Sequence, residues 1–161
     1  MIVDSSALLA ILFAEEDAHR YAMALATAEN VRISAAGFLE AAIQVDIQAG
    51  SRGGRQLDAL IERAGIRIEP VTLEQVRVAR QAFLDFGVGR HRAGLDFGHC
   101  FSYALAKTAD EPLLYKGPEF ERTDLHKPVG AMSSVQQPDG DDWPPPSAFP
   151  DAPWSPIPGE E

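Results

Sequence analysis

The sequence predicts an α/β fold with a mostly parallel sheet, and two observations carry that expectation. Short β-branched or apolar runs alternate with longer stretches of helical apolar spacing, and the first run stops at an acid followed by helix-starting serines. Parallel strands need long crossover connections, usually helices. A strand–helix alternation therefore reads as a sheet covered on both faces.

The elements follow in order. Met1-Ile2-Val3 is a short buried strand ending at Asp4, and Ser5-Ser6 open a helix over Ala7 to Phe13. Val31-Arg32-Ile33 is a second strand. Ser34 caps the next helix, which runs to about Ala49 with Phe38, Leu39, Ala42, Ile43, Val45 and Ile47 as a broad apolar face. Gly50 and Gly53-Gly54 interrupt, and a helix resumes from Gln56 to Ala64. Ile66 to Val71 reads as a third strand. Thr72 with Gln75 is a capping-box pattern that opens a helix to about Phe86. Residues 87–94, rich in Gly and Arg, form a loop. Phe101 to Lys107 is helical, and Pro112 to Tyr115 is a fourth strand closed by Lys116-Gly117.

Composition sets the outer bounds. The chain has 161 residues, 45% of them hydrophobic and 24% charged, as in an ordinary globular protein of one domain or two at most. A single cysteine, Cys100, excludes a disulfide scaffold and a cysteine-based zinc site. No run of about 18 apolar residues marks a membrane span. The opening MIVDSSALLAILFAEED lacks the basic start of a secretory signal, so a cytoplasmic location is expected. The net charge of −10 argues against a nucleic-acid partner until its distribution is considered. Residues 131–161 contain six acids, no Lys or Arg, eight of the twelve prolines and both tryptophans. Proline at that density excludes helix and central strand. The expectation is therefore a globular unit over 1–130 and a disordered or extended acidic tail over 131–161.

Ligands of parallel α/β sheets bind beyond the carboxyl ends of the strands, so the residues ending each strand are the candidates for chemistry. Asp4 is oriented by its strand and faces a helix start, where it either caps the helix or binds a ligand. Glu40 lies among Phe38, Leu39, Ala41, Ala42 and Ile43; it is either an exposed polar residue or a buried acid that requires a partner. His99, in Leu95-Asp96-Phe97-Gly98-His99, is a structural histidine, an acid–base group or a metal ligand. Cys100 reads as a small apolar residue. Glu119 follows the fourth strand. Asp4, Glu40, His99 and Glu119 come from four places that such a fold gathers at one edge. Acids so gathered repel one another unless a divalent cation screens them, and Mg²⁺ is the expected ion, with Mn²⁺ as a second choice. Metal-assisted phosphodiester hydrolysis is the chemistry such a site supports. Arg90, His91 and Arg92 form the most basic loop and are candidates for phosphate contact.

The motifs MIVDSSALLAIL, FLEAAI, HRAGLDFGHCFSYALAK and PLLYKGPEFERTDL, in this order over residues 1–127, resemble those of the VapC family, the PIN-domain ribonuclease toxins of type II toxin–antitoxin systems. The resemblance implies a PIN-like three-layer α/β/α fold and a metal-dependent endoribonuclease with Asp4, Glu40, position 99 and Glu119 as its metal-binding and catalytic residues. It further implies an RNA substrate, a VapB-type antitoxin and a homodimer. Two positions depart from the family pattern. The third family acid falls on His99, and the acid after the fourth strand is Glu119 where the family has Asp. Imidazole removes a negative charge and suits Zn²⁺, Mn²⁺ or Ni²⁺ better than Mg²⁺, so a weakened enzyme, or an inactive PIN domain that binds antitoxin or RNA, is implied as well. Asp96, one turn earlier, offers a partial replacement. A phosphatase with an Asp nucleophile is the rival from another enzyme class. It calls for a second acid two residues after Asp4, where this chain has Ser6.

Overall fold

The computed structural model describes residues 1–125; the tail expected over 131–161 lies outside them. Four strands, β1 (Ile2–Val3), β2 (Arg32–Ser34), β3 (Arg67–Glu69) and β4 (Leu113–Leu114), form one sheet in the order β3-β2-β1-β4. Every pairing is parallel, with Ile2 opposite both Arg32 and Leu113. The helices are α1 (Ser5–Leu12), α2 (Ala18–Thr27), α3 (Ala35–Arg63), α4 (Leu73–Phe86) and α5 (Phe97–Ala109).

Side chains alternate across a strand, and the two-residue β1 uses both faces. Val3 joins Ile33 and Leu114 in a cluster with α1, α2 and α3, including Leu8, Leu25 and Leu57. Ile2 joins Leu113 and Tyr115 on the other face, against Ala79, Ala82, Leu95, Tyr103 and Phe120. This gives the expected helix–sheet–helix layering. β1, β3 and β4 are shorter than the runs from which they were read, while β2 keeps three residues but is shifted by one, with Ser34 leading directly into α3. An ion-pair group fixes the other end of the sheet: the Met1 amine and Arg32 both reach Glu111, at 2.7 and 2.6 Å.

Several local expectations change. The sequence reading left residues 18–27 unassigned, yet they form α2, with Tyr21, Ala22 and Leu25 buried. The two helices expected on either side of Gly50 are one kinked helix, α3; Gly50 adopts φ 60° and ψ −157°, a region open essentially to glycine alone. The last helix starts at Phe97, earlier than its apolar run, because Asp96 caps it by accepting the His99 N–H at 2.9 Å. On α3, Leu39, Ile43 and Ile47 are exposed, so only part of the broad apolar face enters the core. The Thr72–Gln75 capping box forms in both directions, at 3.2 Å each.

Candidate active site

The order β3-β2-β1-β4 places the topological switch between β1 and β4: the chain first winds outward through β2 and β3, then returns to the far side of β1. Asp4 follows β1 at that switch, where α/β folds open a ligand crevice. Its backbone N–H continues the β1–β4 ladder, donating to the Leu114 carbonyl at 2.8 Å. The side chain is fully buried. Oδ1 accepts from the Ser6 N–H at 2.9 Å and from Ser6 Oγ at 2.6 Å, while Ser6 Oγ itself accepts from the Lys116 N–H at 3.0 Å. Oδ2 has no hydrogen-bond partner. The two readings of Asp4 are thus divided between its oxygens: one caps α1, and the other is left open.

Glu40 reaches this point from the second turn of α3. Ser5 Oγ donates to its Oε2 at 2.8 Å, so consecutive serines hold the two acids. Burial raises the Glu40 pKa; the Ser5 hydrogen bond and His99 act against this rise, and the Asp96 and Asp4 charges add to it. A Cβ at position 98 would overlap the Glu40 carboxylate. Gly98 is therefore the gap through which Glu40 meets the first turn of α5, a role not evident from the sequence.

His99 lies in the same turn. Its Nε2 is 3.9 Å from Asp4 Oδ1, and its Nδ1 is 3.1 Å from Asp96 Oδ1, as an ion pair rather than an aligned hydrogen bond. The ring stands edge-to-face on Phe120 at 5.2 Å. Burial opposes a charge on the imidazole, but Asp96, Asp4 and Glu119 together outweigh it and push its pKa up to about 9. The same contact with His99 holds Asp96 below its ordinary value, against the effect of burial. With no metal ion bound, these carboxylates favour the imidazolium at neutral pH, a form that has no lone pair to offer a metal.

Glu119 is half-buried and folds back over Gly117, whose φ of 106° and missing side chain make room for its carboxylate. The Lys116 ammonium turns away from the site to Asp17, at 3.0 Å, and Glu15. The four expected site residues are thus near one another. Among the described residues, no three His, Cys, Asp or Glu side chains form a group able to enclose a metal ion. Mg²⁺ is commonly held by only one or two carboxylates and completes its shell with water and phosphate oxygens. Asp4 Oδ2, a buried carboxylate oxygen without a hydrogen-bond partner, is an oxygen of the kind such an ion would need.

The basic loop is divided. Arg92 is exposed, and Arg90 is exposed with its guanidinium 5.5 Å above the Phe83 ring. His91 is partly buried: its Nδ1 accepts the Ala93 N–H at 3.1 Å and its ring meets Phe86. Arg122 donates to the Arg92 carbonyl at 2.8 Å and ties this loop to the turn after Glu119. Burial pushes the Cys100 thiol up to about 11, consistent with an inert side chain.

A three-layer fold of this topology is that of a PIN domain, and the family model described as PIN domain matches residues 1–125. Ribonuclease VapC28 of Mycobacterium tuberculosis is 52% identical over 128 residues, spanning 79% of this chain and 96% of its own length. Ribonuclease VapC of Mycolicibacterium smegmatis is 46% identical over 125 residues, with 78% and 97% covered. The crystal structure of M. tuberculosis VapC20, described as a sarcin-ricin loop cleaving toxin, superposes with a TM-score of 0.62 at 18% identity, covering 74% of this chain and 92% of its own. That likeness shows the fold. The chain belongs to the VapC family of PIN-domain ribonucleases.

Two predictions follow from this geometry. Gly98→Ala should leave the fold intact, because Gly98 lies in the first turn of α5 and the clash falls on the far end of the Glu40 side chain. It should nevertheless displace Glu40 and remove most RNA cleavage. Urea unfolding alongside a cleavage assay checks this, and retained activity would show that the Glu40–Gly98 contact is dispensable. The second prediction concerns pH. A histidine whose pKa rises from 6.5 to about 9 on folding adds stability that is fully present below about pH 6.5 and lost as pH passes 9. The stability advantage of the natural chain over His99→Gln should shrink across that window. An imidazole titration followed by NMR should show a midpoint near 9, and a midpoint at the ordinary value would contradict the ion-pair geometry.

Proposed function

We propose that this protein is a cytoplasmic, metal-dependent endoribonuclease toxin that hydrolyses RNA phosphodiester bonds and is weakened by His99. The observation that carries the proposal is Asp4 Oδ2, a buried carboxylate oxygen without a hydrogen-bond donor, at the switch point of the sheet. The names of the relatives supply the reaction: ribonuclease. Asp4, Glu40 and Glu119 would hold Mg²⁺ or Mn²⁺, which when bound supplies positive charge to the phosphate oxygens. Ser6 and Ser5 keep the Asp4 and Glu40 carboxylates oriented. Glu119, on the loop after β4, would help to order the attacking water. Arg90 and Arg92 would contact the RNA backbone, since arginine pairs with phosphate through two parallel hydrogen bonds.

His99 works against this chemistry. The imidazolium beside Asp4 neutralises charge that a divalent cation would otherwise draw on. That observation also favours the second reading, a PIN domain that binds RNA or antitoxin without cutting. A VapB-type antitoxin is the expected partner through family membership, and an acidic pocket suits a basic side chain from such a partner. Among the described residues no helix is long and apolar enough to cross a membrane.

His99→Asp should raise Mg²⁺-dependent RNA cleavage above that of the natural chain, because it exchanges a cation for a hard oxygen ligand. Asp4→Asn added to His99→Asp should abolish that gain. Equal cleavage by the natural chain and His99→Asp would show that position 99 does not limit the reaction, and no cleavage by either would favour the binding module. The homodimer is proposed on the exposed stripe Leu39, Ile43 and Ile47, four residues apart along α3. Light scattering should give twice the chain mass, and Ile43→Glu should return it to the monomer.

A further inference from the structure

On the ribonuclease reading given above, we propose that Lys116 is a phosphate-binding residue for RNA, and that Glu15 and Asp17 hold its ammonium aside until the RNA arrives. Its backbone belongs to the site. The Lys116 N–H donates to Ser6 Oγ at 3.0 Å, and Ser6 Oγ donates to Asp4 Oδ1 at 2.6 Å. Two consecutive hydrogen bonds therefore join this residue to the buried acid at the switch point of the sheet. Glu119 follows three residues later on the same loop. The side chain leaves that neighbourhood: Nζ reaches Asp17 Oδ1 at 3.0 Å and the Glu15 carboxylate, on the turn that joins α1 to α2. A lysine stem is flexible and four carbons long. An ammonium on such a stem, rooted beside Asp4, can face that turn or the mouth of the crevice.

Three features make its present partners exchangeable for a phosphate. The first is exposure. The Lys116 and Glu15 side chains are 36% and 40% exposed, and ion pairs in contact with water contribute little. The second is what remains when the ammonium leaves. The Tyr21 hydroxyl still donates to Asp17 Oδ2 at 3.0 Å, and Glu15 faces water, so no buried charge is left unpaired. The third is the charge of the site. Asp4, Glu40 and Glu119 repel an approaching phosphate, and the cation already among them, His99, faces carboxylates with both its nitrogens. Arg90 and Arg92 lie on the loop before α5, whereas Lys116 would meet the RNA backbone from the β4 end of the crevice. Lysine binds phosphate as a point charge. Glu15 and Asp17 offer the ammonium what a phosphate offers, negatively charged oxygens, and so keep its place.

Anisotropy of a fluorescently labelled single-stranded RNA in Mg²⁺, with the RNA shown intact by gel, tests this. Every substitution at position 116 keeps the backbone N–H and with it the Ser6 contact. Lys116→Met should weaken binding several-fold and lower the slope of log affinity against log salt by about 0.7, the share of one phosphate contact on a single strand. Lys116→Arg, which keeps the charge, should bind as the natural chain does. Glu15→Gln with Asp17→Asn should instead tighten binding several-fold, and adding Lys116→Met should remove most of that gain. Changes of the same sign from both sides of the ion pair would overturn the proposal, because the lysine would then merely fasten the α1–α2 turn. A gain that survives Lys116→Met would overturn it too, since the acids would then only repel RNA. Affinity and salt slope untouched by Lys116→Met would overturn it while leaving the ribonuclease reading in place. Neither binding nor cleavage of RNA by the natural chain and by His99→Asp would overturn both.

Discussion

Asp4 is a carboxylate with no exposed surface, and a buried charge costs several kcal/mol unless hydrogen bonds or an opposite charge compensate. Much of the surrounding architecture supplies that compensation. The N-terminus of α1 and the Ser6 hydroxyl serve one oxygen. The Lys116 N–H, presented just beyond β4, fixes the Ser6 hydroxyl in turn. A single serine thus links the ends of the two strands that border the switch point. Both Ser6 donors reach Oδ1. The structure fully pairs one half of the carboxylate and leaves the other half to be served by something that is not a backbone amide or a hydroxyl.

His99 stands beside this carboxylate, but its Nε2 lies 3.9 Å from Oδ1, the oxygen already paired, and Oδ2 stays open. Three carboxylates, Asp4, Asp96 and Glu119, hold the imidazole proton well above the ordinary range despite burial, and the edge of Phe120 fixes the ring. Position 99 lies within the first turn of α5, capped by Asp96, and its side chain projects toward the same site whatever the residue. A carboxylate there would add to the repulsion among the acids and demand an external cation. An imidazolium relieves the same repulsion from within. The substitution is therefore one that the fold accepts readily, and for the same electrostatic reason it alters the chemistry.

How much of this was legible in the sequence depended on whether an element announces itself locally. β1, Asp4 and the helix-starting serines do so, because a hydrophobic run, an acid and a cap are contiguous; the Thr72–Gln75 box does so as well. α2 does not: its N-cap Asp17 makes no side-chain cap hydrogen bond and its buried face is only Tyr21, Ala22 and Leu25, a faint periodicity in an alanine-rich stretch. Glu40 was undecidable from periodicity, since its apolar neighbours are partly exposed. Leu39 and Ile43 face solvent while Ala41 and Val45 face the core. Its partner Ser5 lies 35 residues away, and only the sheet brings them together. Gly98 was invisible for a related reason, because a missing side chain has no signature until the carboxylate that needs the space is in place. His91 shows the converse: its basic neighbours suggested phosphate contact, while its ring meets Phe86 and its Nδ1 accepts the Ala93 N–H.

These placements separate what the fold requires from what the reaction requires. The fold holds Asp4 buried and half-paired, with the His99 ring 3.9 Å from its paired oxygen. The reaction needs more, since positive charge must reach the phosphate and a coordination shell must have room for water. An imidazolium held between Asp4 and Asp96 provides neither, as both its nitrogens already face carboxylates. A metal ion held by Asp4, Glu40 and Glu119 would provide both, while sharing the field of the same acids with His99. On the proposed reading, a metal ion would compete with the His99 imidazolium for the same carboxylates. The outcome of that competition would then depend on metal concentration and pH, while the sheet and its layers stay as they are.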